Sequence, residues 1–282
     1  MKRAYLRMNI SKFQQIILPS FFNFFGSKLF WMKRICLLGS FLFLLVNVNA
    51  IDIKPLISEA NAHYAKNEFD NAILKYRQVI DSGHINSGLY FNLANAYYKT
   101  HNIKNAILYY ERAKLLNPGD KDIDTNLELA RSQTFDKIEA IPGVFFITWF
   151  KWLQNRLSKD TWALVSVISF ILGLFLFLFY LLTTNLLVKK AAFWFGSGIL
   201  ILAVIAFVFG YQLNKLETTR DKAIIFSSTV IAKSSPSGTG TNLFIIHEGT
   251  KVEILDKIGN WNEIRISDGN RGWIKDTDME VI

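Results

Sequence analysis

The sequence predicts a multi-domain membrane protein built from an all-α helical-repeat domain, a transmembrane helical hairpin and a small all-β barrel. Three observations carry this. Two long runs, Trp162 to Leu182 and Ala191 to Leu213, contain no charged residue. Shifting the chain by 34 residues against itself aligns nine identical positions, the first pair Ala60/Ala94 and the last Tyr76/Tyr110. After Tyr211 the composition changes to short β-rich runs separated by turn signals.

Charge and cysteine content narrow the function classes first. The formal net charge is +9, but seven basic and no acidic residues fall within the first 34 positions. Without that stretch the chain is close to neutral, so a phosphate-tracking surface and a nucleic-acid partner are not expected. The single cysteine, Cys36, excludes an intrachain disulfide and a Cys-based metal site.

Residues 1–50 read as an N-terminal extension and a signal. Met32-Lys33-Arg34, the apolar run Ile35 to Val48 and the small-residue end Val48-Asn49-Ala50 give the layout of a secretory signal peptide. Cleavage after Ala50 and retention as an anchor are both open, and either one exports the domain that begins at Ile51. Translation is expected to start at Met32. Cys36 lacks the small preceding residues of a lipid acceptor.

Residues 51–137 form the repeat domain, since a period of 34 indicates stacked helical hairpins. Small residues such as Ala94 and Ala106 let paired helices approach, and Tyr110 fills the space between them. Asp120 to Lys137, with Ile123, Leu127, Leu129 and Ala130 at helical spacing, is expected to close the stack. The second copy resembles the tetratricopeptide repeat at Leu93, Ala94, Tyr97, Ala106, Tyr110, Ala113 and Pro118. The first keeps Ala60, Ala72 and Tyr76. That resemblance implies a concave groove that takes proteins or peptides, faced by Asn61, Tyr64, Asn92, Asn95 and Tyr98. Tyrosines packed between helices and solvated asparagines are the equally weighted alternative. Asn61 and Asn92 also match the two asparagines of a carboxylate-clamping subclass, but Ile57, Asp122 and Asn126 stand at its basic positions, against carboxylate capture.

Residues 138–160 form an amphipathic segment. Phe145, Phe146, Trp149, Phe150, Leu153 and Leu157 share one helical face, which suits a helix lying in the membrane interface; packing on the repeat stack is the alternative. Pro142-Gly143 supplies a hinge. The transmembrane helices come next, at 161–183 and 191–213. Fifteen of the 21 residues from Trp162 to Leu182 are Leu, Ile, Val or Phe. At about 1.5 Å per residue such a run crosses the ~30 Å hydrocarbon core. An eight-residue loop, Thr183 to Lys190, joins the two. With an exported N-terminus that loop is cytoplasmic, and both soluble modules share the periplasm of an inner-membrane, multi-pass protein.

Residues 221–282 contain five or six short strands, expected to form a closed barrel. The segment resembles a bacterial SH3-like domain through Leu243-Phe244, His247 to Val252, Gly259-Asn260-Trp261 and Arg271 to Ile274. Trp261 and Trp273 are each open to a binding or a core role, with core favoured for Trp273. The resemblance implies binding of peptidoglycan or of protein segments.

No catalytic constellation, cofactor motif or metal motif stands out, so an enzyme is not expected; His247-Glu248 lacks a second histidine four residues on. The full module order resembles the BatE family of the Bacteroides aerotolerance operon. That resemblance implies a non-enzymatic envelope scaffold working with von Willebrand factor A domain membrane proteins in stress tolerance. A wall-binding or wall-sensing protein acting through the SH3-like domain is the alternative.

Overall fold

The computed structural model describes residues 53–138 and 144–282. The expected signal, the start at Met32, Cys36 and the Pro142-Gly143 hinge lie outside these described residues.

Two helical hairpins open the described chain, α1 (Lys54–Ala65) with α2 (Phe69–Asp81) and α3 (Ser87–Lys99) with α4 (Ile103–Leu116). Their interfaces are lined by alanine: Ala60, Ala72, Ala94 and Ala106 have no exposed surface. Small side chains at these contacts bring helix axes close and leave room for Tyr76 and Tyr110, each 1% exposed. The 34-residue period recurs in the backbone, where Asn67 (φ 60°) and His101 (φ 59°) turn the chain out of α1 and α3 in the left-handed conformation. Asn86 and Asp120 cap α3 and α5 (Lys121–Arg131) by accepting from the Leu89 and Asp122 amides at 2.8 and 3.0 Å. Helix α5 closes the stack with Ile123, Leu127 and Ala130. Leu129, expected on that face, is 49% exposed because it falls outside their spacing of four and three residues.

Helix α6 (Phe145–Gln154) packs on the base of the apolar hairpin. Phe150 meets Phe209 edge-on at 4.9 Å, and Leu153 and Leu157 join the cluster of Trp162 and Phe209. Gln154 is buried there. Its amide nitrogen donates to Gln212 Oε1 (3.0 Å), and Trp162 Nε1 donates to its carbonyl oxygen (2.8 Å). Phe145, Phe146, Trp149 and Trp152 remain exposed.

Helices α7 (Lys159–Leu182) and α8 (Leu186–Thr219) are long and apolar enough to cross a membrane, yet only 11% and 28% of their most apolar windows are buried. They pack through Gly173, Gly196, Ala203 and Ala206, and Ser166 Oγ donates to the Ala203 carbonyl at 2.9 Å. The connection is shorter than expected. Asn185 caps α8 by accepting from the Leu187 and Val188 amides, so only Thr183 to Asn185 lie between the helices and Lys189 and Lys190 are helical. At the opposite end Lys159 and Glu217 pair at 2.6 Å.

Arg220, left-handed at φ 48°, ends α8 and delivers the chain to seven strands. They are β1 (Lys222–Ile225), β2 (Thr229–Lys233), β3 (Asn242–His247), β4 (Lys251–Ile258), β5 (Trp261–Arg265), β6 (Arg271–Lys275) and β7 (Met279–Val281). The order β3-β2-β6-β5-β4-β1-β7 leaves β3 and β7 as free edges, so the sheet is open and the expected closed barrel is not formed. β2 joins β6 only through Lys233↔Trp273, and the three-residue β7 pairs with β1 alone, so neither edge reaches the other. Ala223, Ile225, Ile246, Val252, Ile264 and Ile274 make the core of its inner face. Trp273 is not among them. Its neighbours Gly272 and Ile274 point inward, and the register Glu263↔Trp273 and Trp261↔Lys275 puts both tryptophans on the outer face, half-buried.

The modules share packing. Ile224 points away from Ala223 and Ile225 and joins the repeat core, so β1 is buried on both faces. Gly119, in the turn before α5, lies so close to the α6–α7 junction that a Cβ there would stand 2.6 Å from the Arg156 carbonyl oxygen. Gly119→Val should therefore cost about 1–3 kcal/mol by overpacking. Thermal unfolding of the detergent-solubilised chain, with hydrogen exchange at Asn155 to Ser158 rising, checks this.

Candidate functional site

The groove residues expected from the sequence fall on one side of the repeats. Asn61 and Tyr64 come from α1, and Asn92, Asn95 and Tyr98 from α3. Asn61 is exposed and the other four are half-buried, so all five keep access to solvent. The two hairpins repeat the same bond: Tyr76 Oη donates to Asn61 Oδ1 at 2.6 Å, and Tyr110 Oη to Asn95 Oδ1 at 2.5 Å. Asn126 of α5 adds a second donor to Asn95 Oδ1 at 3.2 Å, and Gln133 donates to Tyr98 Oη at 2.5 Å.

These bonds decide what the groove offers. Both acceptor oxygens are occupied, which fixes the amides and, among the described residues, leaves their NH₂ groups as the free polarity. Asn92 makes no side-chain hydrogen bond among the described residues. Tyr64 is partly a packing residue, edge-on to Phe69 at 5.3 Å, so each of the two readings of these side chains holds for some of them. Burial pushes the Tyr76 hydroxyl up to about 12 and raises Tyr110 further, so both remain protonated donors at any physiological pH.

The sheet docks on the other helix of the second hairpin. Lys104, Ile107, Glu111 and Arg112, spaced to share one face of α4, carry the contact. Lys104 Nζ donates to the Phe226 carbonyl (3.0 Å) and pairs with Glu248 (2.8 Å); Arg112 donates to the Val281 carbonyl (2.7 Å). Glu111, 3% exposed, is bonded by Lys251 at 2.6 Å and by Arg131. Burial by itself pushes the Glu111 carboxyl up, but the two cations outweigh it and hold the group below the ordinary carboxylate range. The same burial lowers Lys251, against the pull of Glu111.

A second contact lies just beyond α5. Asp136 accepts from the His247 amide (2.7 Å) and the Thr250 hydroxyl (2.6 Å), and its other oxygen meets His247 Nδ1 at 2.8 Å. The Phe135 ring stands 4.3 Å from that imidazole. Gly249 fits here because φ is +84° and a Cβ would come within 2.7 Å of Thr134. Sequence reasoning misses this interface. A lone glutamate in a repeat helix and an aspartate in a linker acquire partners 140 and 111 residues away. The apolar spacing of α4 is the available signal, because Ile107 lies one turn from Glu111 and is fully buried.

A cleft of about 650 Å³ lies where the groove side meets the sheet, lined by His101, Lys104, Gln133, Phe135, His247 and Glu248 among others. Among the described residues no group of three or more His, Cys, Asp or Glu side chains is placed to hold a metal ion.

Residues 87–120 match the family model of the tetratricopeptide repeat. The match covers α3, α4 and the turn after them, and the shared left-handed turn and Tyr–Asn bond show that residues 54–81 fold as the same kind of hairpin. No curated protein matches the sequence.

Tyr110→Phe should cost about 1 kcal/mol in unfolding free energy by denaturant titration, since it removes one buried hydrogen bond and no volume. The Glu111 carboxyl is lowered in the fold, so its contribution is present above the ordinary value of 4.5 and is lost as pH falls below that value through the folded one. Protection of the β1 and α4 amides from hydrogen exchange, relative to the unfolded chain at the same pH, should therefore hold at neutral pH and fall below pH 4.5. Glu111→Gln, which leaves the half-buried Lys251 and the more exposed Arg131 without their counter-charge, should give the same loosening at neutral pH, at a cost of about 1–3 kcal/mol.

Proposed function

We infer that this chain is a membrane-held scaffold whose repeat groove recruits an extended segment of a partner protein. The observation that carries the reading is the division of labour on the second hairpin. The α4 face is consumed by the sheet, while among the described residues the α1 and α3 face keeps solvent access at Asn61 and, half-buried, at Asn92 and Asn95. Amide donors at regular spacing suit the carbonyl groups of an extended peptide backbone.

The membrane part of the reading is supported by how little of α7 and α8 is buried, since core helices of a soluble protein would be covered. The exposed aromatic face of α6 beside the Lys159–Glu217 end suits the headgroup boundary. The Gly119 contact and the packing of α4 near the end of α8 bring both soluble modules to that same end, which favours one shared compartment. A periplasmic location, an inner-membrane host and a role beside von Willebrand factor A domain proteins belong to the family resemblance. A second reading, wall binding by residues 221–282, is favoured by Trp261 and Trp273 on the outer face of the sheet.

Three measurements test these. Single cysteines at Ser87, Thr184 and Ser267, in a chain carrying Cys36→Ser, should react with an impermeant thiol reagent at Ser87 and Ser267 but not at Thr184. The inverse pattern would place both modules in the cytoplasm. A photo-crosslinker at Asn95 should capture a discrete partner in cells and one at the exposed Leu74 should not; equal yields would remove the groove from the function. Retention of residues 221–282 on purified cell wall, with no crosslink at Asn95, would favour the second reading.

A further inference from the structure

The end of the hairpin remote from the soluble modules holds two cations with no acidic partner among the described residues. Lys189 and Lys190 are the only charged residues between Asp160 and Lys215. Among the described residues neither makes an ion pair; Lys189 sits over the Tyr180 ring at 5.0 Å, and Lys190 is exposed. Their position also runs against helix electrostatics. Both lie in the first two turns of α8, where the macrodipole disfavours cations, and that first turn has no acidic residue. Two lysines at the positive end of a helix make a local concentration of positive charge that an anion would relieve.

The lysines flank a cleft of about 310 Å³ whose other walls are Tyr180, Leu186, Phe193 and Trp194. Tyr180 and Phe193 stand 5.8 Å apart and Phe193 and Trp194 5.6 Å, so the floor is aromatic and apolar. A soluble anion would leave those walls wet. We propose that this cleft binds the headgroup of an anionic phospholipid, its phosphate between Lys189 and Lys190 and its glycerol and upper acyl carbons against Phe193 and Trp194. The inference rests on the reading of α7 and α8 as spanning helices, which sets the cleft at the headgroup level.

The full chain is reconstituted into phosphatidylcholine vesicles with or without phosphatidylglycerol, tested for resistance to alkaline carbonate, and released into mild detergent for counting of bound lipid by native mass spectrometry. Phosphatidylglycerol should be retained over phosphatidylcholine. Retention should fall about tenfold or more when Lys189→Gln and Lys190→Gln are combined, and survive when both are changed to Arg or when Lys215→Ala is made at the far end. Excess inorganic phosphate should leave it unchanged. Equal retention of the two lipids, persistence in the double Gln variant, or displacement by phosphate overturns the assignment alone. A chain stripped by carbonate overturns the spanning reading, and this inference with it.

Discussion

The structure depends on the burial of β1 from both sides. A four-residue strand ordinarily turns one face to its own core and one to water, but here Ala223 and Ile225 face the sheet and Ile224 enters the repeat core. The apolar contact is small, and the polar groups around it make it specific. Glu111 is desolvated, so any arrangement that fails to bring both Lys251 and Arg131 to it strands a buried carboxylate. The docking thus has one good geometry, and it couples elements more than a hundred residues apart.

That geometry assigns the faces of the repeat domain. In a two-hairpin stack each helix has a side not used by its neighbours, and only one such side can receive the sheet without covering the other. The α4 side receives it. The amides of α1 and α3 stay accessible, held from beneath by Tyr76 and Tyr110. The paired tyrosine and asparagine also explain why both positions recur in the two copies: the tyrosine fills the interhelical space and its hydroxyl needs an acceptor, which the asparagine of the preceding helix supplies.

Much of this architecture is legible in the sequence, because periodicity records local burial. The 34-residue period marks the hairpins, the two uncharged runs mark α7 and α8, and the β-rich runs mark the strands. Helix ends are less legible. Lys189 and Lys190 read as loop residues because charge marks loops, yet the Asn185 cap starts the helix before them. Closure of the sheet is misread because strand count and turn spacing say nothing about whether edges meet. For Trp273 a core role is favoured from the sequence, whereas the pairing with Lys233 and Glu263 fixes its face as the outer one. Long-range polar contacts such as Asp136 with His247 leave no periodic trace. The groove amides fall on the expected helices, but the oxygen atoms of Asn61 and Asn95 are taken, which only the tyrosine partners reveal.

The length of α8 has a mechanical meaning. Its 34 residues make a rod of about 50 Å, well beyond the ~30 Å of a hydrocarbon core. The excess carries the helix out to Arg220, with no flexible linker before the sheet begins at Lys222. A continuous rod transmits rotation as well as position. Each residue added or removed between Leu213 and Thr219 would turn the sheet by about 100° about the helix axis and swing Ile224 and Lys251 away from α4. The angular phase of residues 214–219 is therefore as constrained as any core side chain, and a rotation of the apolar hairpin is felt directly at the repeats.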